Sequence, residues 1–243
     1  MLGVLFAALS GLSYGASDFS GAVASKDDDA ALVTVAMQVV SLMALLAILV
    51  VFPEDTRNAD DLAWAALAGV GAALGLTTFY IALARGPMST AASITGLVGA
   101  LVPVIAGFGL GDRPSELALI GIALSIPAVV LLSSSPSGLK GFGQRTVPRE
   151  RVASQAHMNR TRLIAVIAGL GFGLFFVALS RTNVDSGLYP LIGARIASIT
   201  ALTVVLTTQK LWAPIGRRWW PIVVLAGILD CAANSFYLLA LPH

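Results

Sequence analysis

Residues 31–52 read ALVTVAMQVVSLMALLAILVVF, an unbroken apolar stretch without a single charge. Coiled as an α-helix at 1.5 Å per residue it is about 33 Å long, enough to cross the ~30 Å hydrocarbon core of a bilayer. A surface helix of a water-soluble domain would carry charged and polar residues along a whole face, and here only the uncharged Thr34, Gln38 and Ser41 interrupt the run.

Outward from this stretch the same pattern repeats. Eight apolar spans can be drawn, at 2–24, 31–52, 62–84, 88–109, 115–133, 163–181, 187–208 and 219–241. The chain has 243 residues, 57% of them hydrophobic and 12% charged. Soluble domains carry about 25% charged residues. Of the 15 Lys and Arg and 13 Asp and Glu, all but Asp18, Arg195 and Asp230 fall in connections or at span ends. Desolvation cost sorts charges in this way. A β-barrel would alternate polar and apolar residues over about ten positions, and these runs do not alternate. The fold class expected is therefore an all-α, polytopic integral membrane bundle embedded in lipid.

Turn chemistry marks the cuts: Lys26-Asp27-Asp28-Asp29, Pro53–Asp61, Arg85-Gly86-Pro87 and Gly111-Asp112-Arg113-Pro114. The one long polar connection, 134–162, divides the chain into 1–133 and 163–243. Trp64 and Trp219-Trp220 read as anchors at the membrane interface.

The composition also excludes functions. A net charge of +2 offers no nucleic-acid footprint, and one cysteine excludes a disulfide framework or a thiolate metal site. Neither histidine lies in a span, so no cofactor, metal centre or enzyme chemistry is expected. Gly169–Gly173 lies within an apolar span with no strand before it, which removes a dinucleotide reading.

A shift of about 157 residues lays the second part on the first. Gly11–Gly15 meets Gly169–Gly173, Gln38 and Ser41 meet Arg195 and Ser198, and Phe79-Tyr80 meets Phe236-Tyr237. A repeat unit of five spans is odd, so the second copy would lie inverted in the bilayer. Secondary transporters commonly use that plan, with a site between the copies near the midplane.

The pattern Gly-Leu-x-aromatic-Gly opening each half, Thr78-Phe79-Tyr80-Ile81-Ala82-Leu83 before Gly86-Pro87, and Gly111-Asp112-Arg113-Pro114-Ser115 resembles the EamA-type transporters of the drug/metabolite transporter superfamily. The resemblance implies inverted five-helix repeats, a cavity between them, and export of a small metabolite, amino acid or drug across the plasma membrane by alternating access. Counterparts of 88–133 do not appear before His243, so the second repeat is expected to be truncated to three spans. From that departure a second function follows as an alternative: a non-transporting scaffold or regulatory subunit, or an inactive remnant.

Candidate cavity residues are Ser13, Tyr14, Ser17, Gln38, Tyr80, Arg195, Asp230, Asn234 and Tyr237. Ser10, Ser13, Tyr14 and Ser17 form one helical stripe, suited to a polar cavity wall or to hydrogen bonds between helices. Arg195 and Asp230 lie near mid-span and read either as a substrate carboxylate clamp beside a proton or cation site, or as a mutual ion pair. Asp18 lies nearer its span end, where hydration lowers the cost, and carries less weight. The Gly-x-x-x-Gly pairs at 11/15, 71/75, 107/111 and 169/173 predict close helix contacts. Pro103 and Pro127 predict kinks, the first with Gly96 and Gly99 in a pliable helix. Partners expected are a small-molecule substrate, the lipid bilayer, a coupling proton or cation and a second copy of the chain.

Orientation divides the arguments. With 134–162 cytoplasmic, alternate connections hold 11 basic residues inside and three outside, which places the N terminus outside. The resemblance places it inside.

Overall fold

A computed structural model describes residues 2–52, 61–111, 115–134 and 155–240. It contains eight α-helices: α1 Leu2–Ala24, α2 Ala30–Val51, α3 Asp61–Arg85, α4 Met88–Gly109, α5 Glu116–Ser134, α6 Gln155–Leu179, α7 Tyr189–Thr208 and α8 Trp220–Ala240. Among the described residues seven of them, all but α5, are long and apolar enough to cross a membrane. The protein is an all-helical, multi-pass membrane bundle.

Helix ends follow local chemistry. Asp29 caps α2, its carboxylate accepting from the backbone N–H of Ala31 at 2.9 Å and of Leu32 at 3.4 Å. Pro190 sits in the first turn of α7, where a missing N–H costs nothing. Gly111 follows α4 with φ +91, a conformation that favours glycine. The turn residues 112–114 and the polar connection over 135–154 lie outside the described residues.

The largest boundary difference is at α6, which begins at Gln155 rather than at 163. Gln-Ala-His-Met-Asn-Arg-Thr-Arg contains neither glycine nor proline, so the helix continues past the apolar span. Polarity marks where lipid ends, not where a helix ends. Thr161 on this extension is buried against the α3–α4 turn, where a Cβ added to Gly86 would collide with its side chain.

Packing pairs the helices across the two halves. The most extensive interfaces are α3 with α6 and α1 with α8; α7 lies on α3, α2 on α8, α4 on α6, and α2 meets α7. Under the shift of about 157, α3 corresponds to α8 and α6 to α1. Under that shift α3·α6 would match α8·α1, and α7·α3 would match α2·α8; all four pairs are in contact. Helix α5 packs on α4 at the edge.

The interior is built from small side chains. On α3, Ala65, Ala68, Gly69, Gly71, Ala72, Ala73 and Gly75 are all buried. Large apolar side chains such as Val4, Leu12, Val50 and Leu117 face outward. Water would punish that arrangement, whereas lipid tails are as apolar as the side chains and association rests on close packing. Gly71 and Gly75 lie against the α6 backbone at Gly171 and Phe172, and Gly169 and Gly173 against Val98 and Val102 of α4. Gly11 and Gly15 depart from the expected close contact: a Cβ at either would meet nothing within 4 Å. Trp64 and Trp220 are exposed as interfacial anchors would be. Trp219 instead packs on the core, with the Arg218 guanidinium 5.0 Å from its ring centre.

Polar clasps join the halves on opposite faces. At the start of α3, buried Asp61 accepts from the Asn183 backbone N–H at 3.1 Å, from Asn183 Nδ2 at 2.9 Å and from the Ser186 hydroxyl. On the other face Asp28 accepts from the Gly216 N–H at 3.1 Å, and Arg218 pairs with Asp27 at 2.8 Å in an exposed position. Asp61→Ala leaves three donors without their acceptor and is expected to cost about 2 kcal/mol. A drop in the melting midpoint of the purified protein in detergent checks this. Asp27→Ala, at the exposed pair, is expected to leave that midpoint unchanged.

Candidate functional site

Helices α1, α3, α4, α6, α7 and α8 line an open-sided cavity of about 1120 Å3. Its wall on α4 runs from Met88 to Pro103. Fifteen helical rises make about 22 Å, most of the depth of a bilayer core. The α4 wall is made of small groups: Ser89, Ala92, Gly96, Gly99 and Ala100. Another part of the lining is aromatic. Phe79 meets Phe172 edge-on at 5.7 Å, Tyr14 meets Phe176 at 5.9 Å, and Phe176 meets Tyr237 at 5.0 Å.

One polar chain crosses this apolar wall. Arg195 pairs with Asp230 at 2.6 Å, and its Nη1 donates to Gln38 Oε1 at 2.7 Å. Gln38 Nε2 donates to Ser198 Oγ at 2.9 Å. On the other side Asn234 Nδ2 donates to the Asp230 backbone oxygen at 2.7 Å and to its carboxylate at 3.2 Å. The Tyr14 hydroxyl donates to Asn234 Oδ1 at 2.7 Å. The chain joins α7, α2, α8 and α1. Burying a charge without such partners costs several kcal/mol, so the helices must close around it.

Gln38 and Arg195, 157 residues apart and matched by the shift read from the sequence, touch each other. Their surroundings differ. Gln38 bonds Ser198, whereas Arg195 turns to Asp230, and Ser41, the counterpart of Ser198, has a buried hydroxyl without a hydrogen-bond partner among the described residues.

Of the residues singled out from sequence, Tyr14, Arg195, Asp230, Asn234 and Tyr237 line the cavity, and Ser13, Ser17, Gln38 and Tyr80 do not. Ser17 donates to the Ala226 carbonyl at 2.8 Å, and Ser10, which does reach the wall, donates to that of Ala233 at 2.8 Å. The stripe on α1 therefore serves largely as a seam with α8. Helical spacing shows that residues share a face without showing what the face meets. Gln38 lies behind Arg195, completely buried. Tyr80 is also completely buried, its ring against Gly21 and its hydroxyl 3.4 Å from Met37 Sδ, while its repeat counterpart Tyr237 faces the cavity.

The sequence reading missed Phe79, Phe172, Phe175 and Phe176 as wall residues. Their spacing offered a signal, since Phe172, Phe175 and Phe176 share one face of a helix. Asp18, although nearer its span end, lies on the wall. Gly11, Gly15 and Pro103 also face the cavity. No group of three metal-binding side chains occurs among the described residues.

A bundle of membrane helices paired across two halves, around a cavity with a charged pair in its wall, has the architecture of a solute-handling membrane protein. The chain matches the EamA-like transporter family over residues 1–134, which is α1 to α5, and belongs to that family. No curated protein gave a significant match.

Proposed function

We propose that this protein is a secondary transporter that exports a small solute across the cell membrane by alternating access. The observation that carries this reading is the cavity itself. It draws its walls from both halves of the chain, and its charged pair, Arg195 and Asp230, sits on helices long and apolar enough to cross a membrane. Rocking of one half against the other about the α2–α7 contact would open such a cavity to each side in turn. Membership of the EamA-like family supports the same class.

The test is counterflow into vesicles reconstituted with the purified full chain. Three aromatic probes of similar size and fixed charge serve as solutes: phenethyltrimethylammonium, phenethylsulfonate and zwitterionic phenylalanine. At least one is expected to accumulate. Gly96 lies on the cavity wall, and a Cβ there would meet nothing within 4 Å. Gly96→Trp is therefore expected to fill the cavity and reduce accumulation to the level of empty vesicles, with an unchanged size-exclusion profile. Accumulation that Gly96→Trp does not reduce, or none of any probe, overturns the reading.

A further inference from the structure

Three ionisable groups of opposite sign face the cavity: Asp18, Arg195 and Asp230. Two of them neutralise each other. The Arg195 guanidinium is held by Asp230 at 2.6 Å and by Gln38 at 2.7 Å, its Nε having no hydrogen-bond partner among the described residues. An incoming carboxylate would meet the like charge of Asp230 beside a guanidinium that is already neutralised. Asp18 is different: it makes no hydrogen bond or ion pair with any described residue. One guanidinium against two carboxylates leaves the ionised cavity with an excess of negative charge, and that excess resides at Asp18.

We propose that Asp18 is the cation-accepting group of the cavity and that the transported solute is an organic cation with an apolar, aromatic body. This rests on the transporter reading above. An ionised carboxylate in an apolar membrane cavity is costly, and it is neutralised by a proton or by a bound cation. Here the two compete for one group, so binding of a permanent cation expels a proton. The rest of the wall suits the same ligand. Tyr14, Phe79, Phe172, Phe175, Phe176 and Tyr237 line the cavity, and aromatic rings attract cations and not anions over their faces.

The position also fits. Asp18 lies six residues before the end of α1, about 9 Å from it. Met88 and Ser89, at the start of α4, line the same cavity. A cation entering from this end meets Asp18 before it reaches the paired groups deeper in the bundle. The other titratable groups on the wall are Tyr14 of α1, Arg195 of α7, and Asp230 and Tyr237 of α8. Helix α3 adds Tyr80 behind Gly21, α4 and α6 place none on the wall, and α2 contains none. Arg195, already bound by Asp230, is the one cation in this set.

Binding of radiolabelled tetraphenylphosphonium to the purified full chain in detergent tests the assignment. Saturable binding is expected, displaced by phenethyltrimethylammonium and not by phenethylsulfonate. Asp18→Asn should weaken it at least about tenfold, the loss of one charge-assisted contact, while Asp18→Glu stays within about threefold of the parent. Acidification should weaken binding to the parent, since proton and cation compete for one carboxylate, and leave the residual binding of Asp18→Asn unaffected. Matching size-exclusion profiles and melting midpoints establish that the variants fold. Undiminished binding in Asp18→Asn, displacement by the sulfonate, or no saturable binding overturns the proposal. Vesicles that accumulate phenethylsulfonate or phenylalanine but not the ammonium probe remove this substrate class and leave transport standing. Vesicles that accumulate none remove both.

Discussion

Asp230→Leu is expected to deplete the folded protein, whereas Arg195→Leu is expected to be the milder change although it removes the larger side chain. Both groups are buried, Arg195 at 1% exposure and Asp230 at 5%, and they are paired at 2.6 Å. Removing one partner of a buried pair costs about 3–5 kcal/mol, because the other charge is left behind. The charges left behind are not equivalent. A guanidinium keeps its proton at every accessible pH, so in Asp230→Leu it stays charged with only Gln38 as a hydrogen-bond partner. In Arg195→Leu the carboxyl group can take up a proton, and Asn234 still donates to it at 3.2 Å. The double variant Arg195→Leu with Asp230→Leu should recover much of the loss, since it buries no charge. Yield of monodisperse protein and its melting midpoint in detergent rank the three. A midpoint for Asp230→Leu equal to that of the parent would mean that the pair does not hold α7 to α8.

The second large effect is expected at Gly171, where α6 crosses α3. A Cβ there would sit 2.7 Å from the Gly75 Cα and 3.0 Å from the Gly71 carbonyl oxygen. These are backbone atoms, and no rotamer change can move them aside. Gly171→Ala must push apart two helices whose interface is among the most extensive in the bundle. Overpacking of this kind costs about 1–3 kcal/mol and more where the backbone cannot yield. A clear fall in melting midpoint is expected, with Gly171→Leu giving little folded protein. Gly15→Ala is the matched control, because nothing lies within 4 Å of its added methyl group. Equal midpoints for Gly171→Ala and Gly15→Ala would refute the close α3–α6 contact.

The fold was legible because lipid imposes a simple rule on sequence. Charges are driven to the ends of spans, so the limits of α4 at 88 and 109 and of α1 at 2 and 24 could be read directly. The start of α6 at Gln155 could not, since polar residues stay helical outside lipid as readily as they form a loop. The site was legible where physics demanded a partner. Arg195, Asp230 and Asn234 had to find one another, and they do. It was illegible where a helix face had several neighbours to choose from. Ser17 met a carbonyl of α8, Gln38 met Arg195 from behind, and Tyr80 met Met37. Asp18 was discounted for its distance from mid-span, a guide to hydration that says nothing of which way the side chain turns. The aromatic wall was hidden by its own chemistry, since phenylalanine in an apolar span is unremarkable until its neighbours are known.

The contact between Gln38 and Arg195 bears on how far a hidden residue reaches. Gln38 does not line the cavity, yet it holds Arg195 Nη1 at 2.7 Å, and Arg195 in turn holds Asp230 at 2.6 Å. A change at Gln38 therefore acts on the charged part of the wall through Arg195, without touching whatever occupies the cavity.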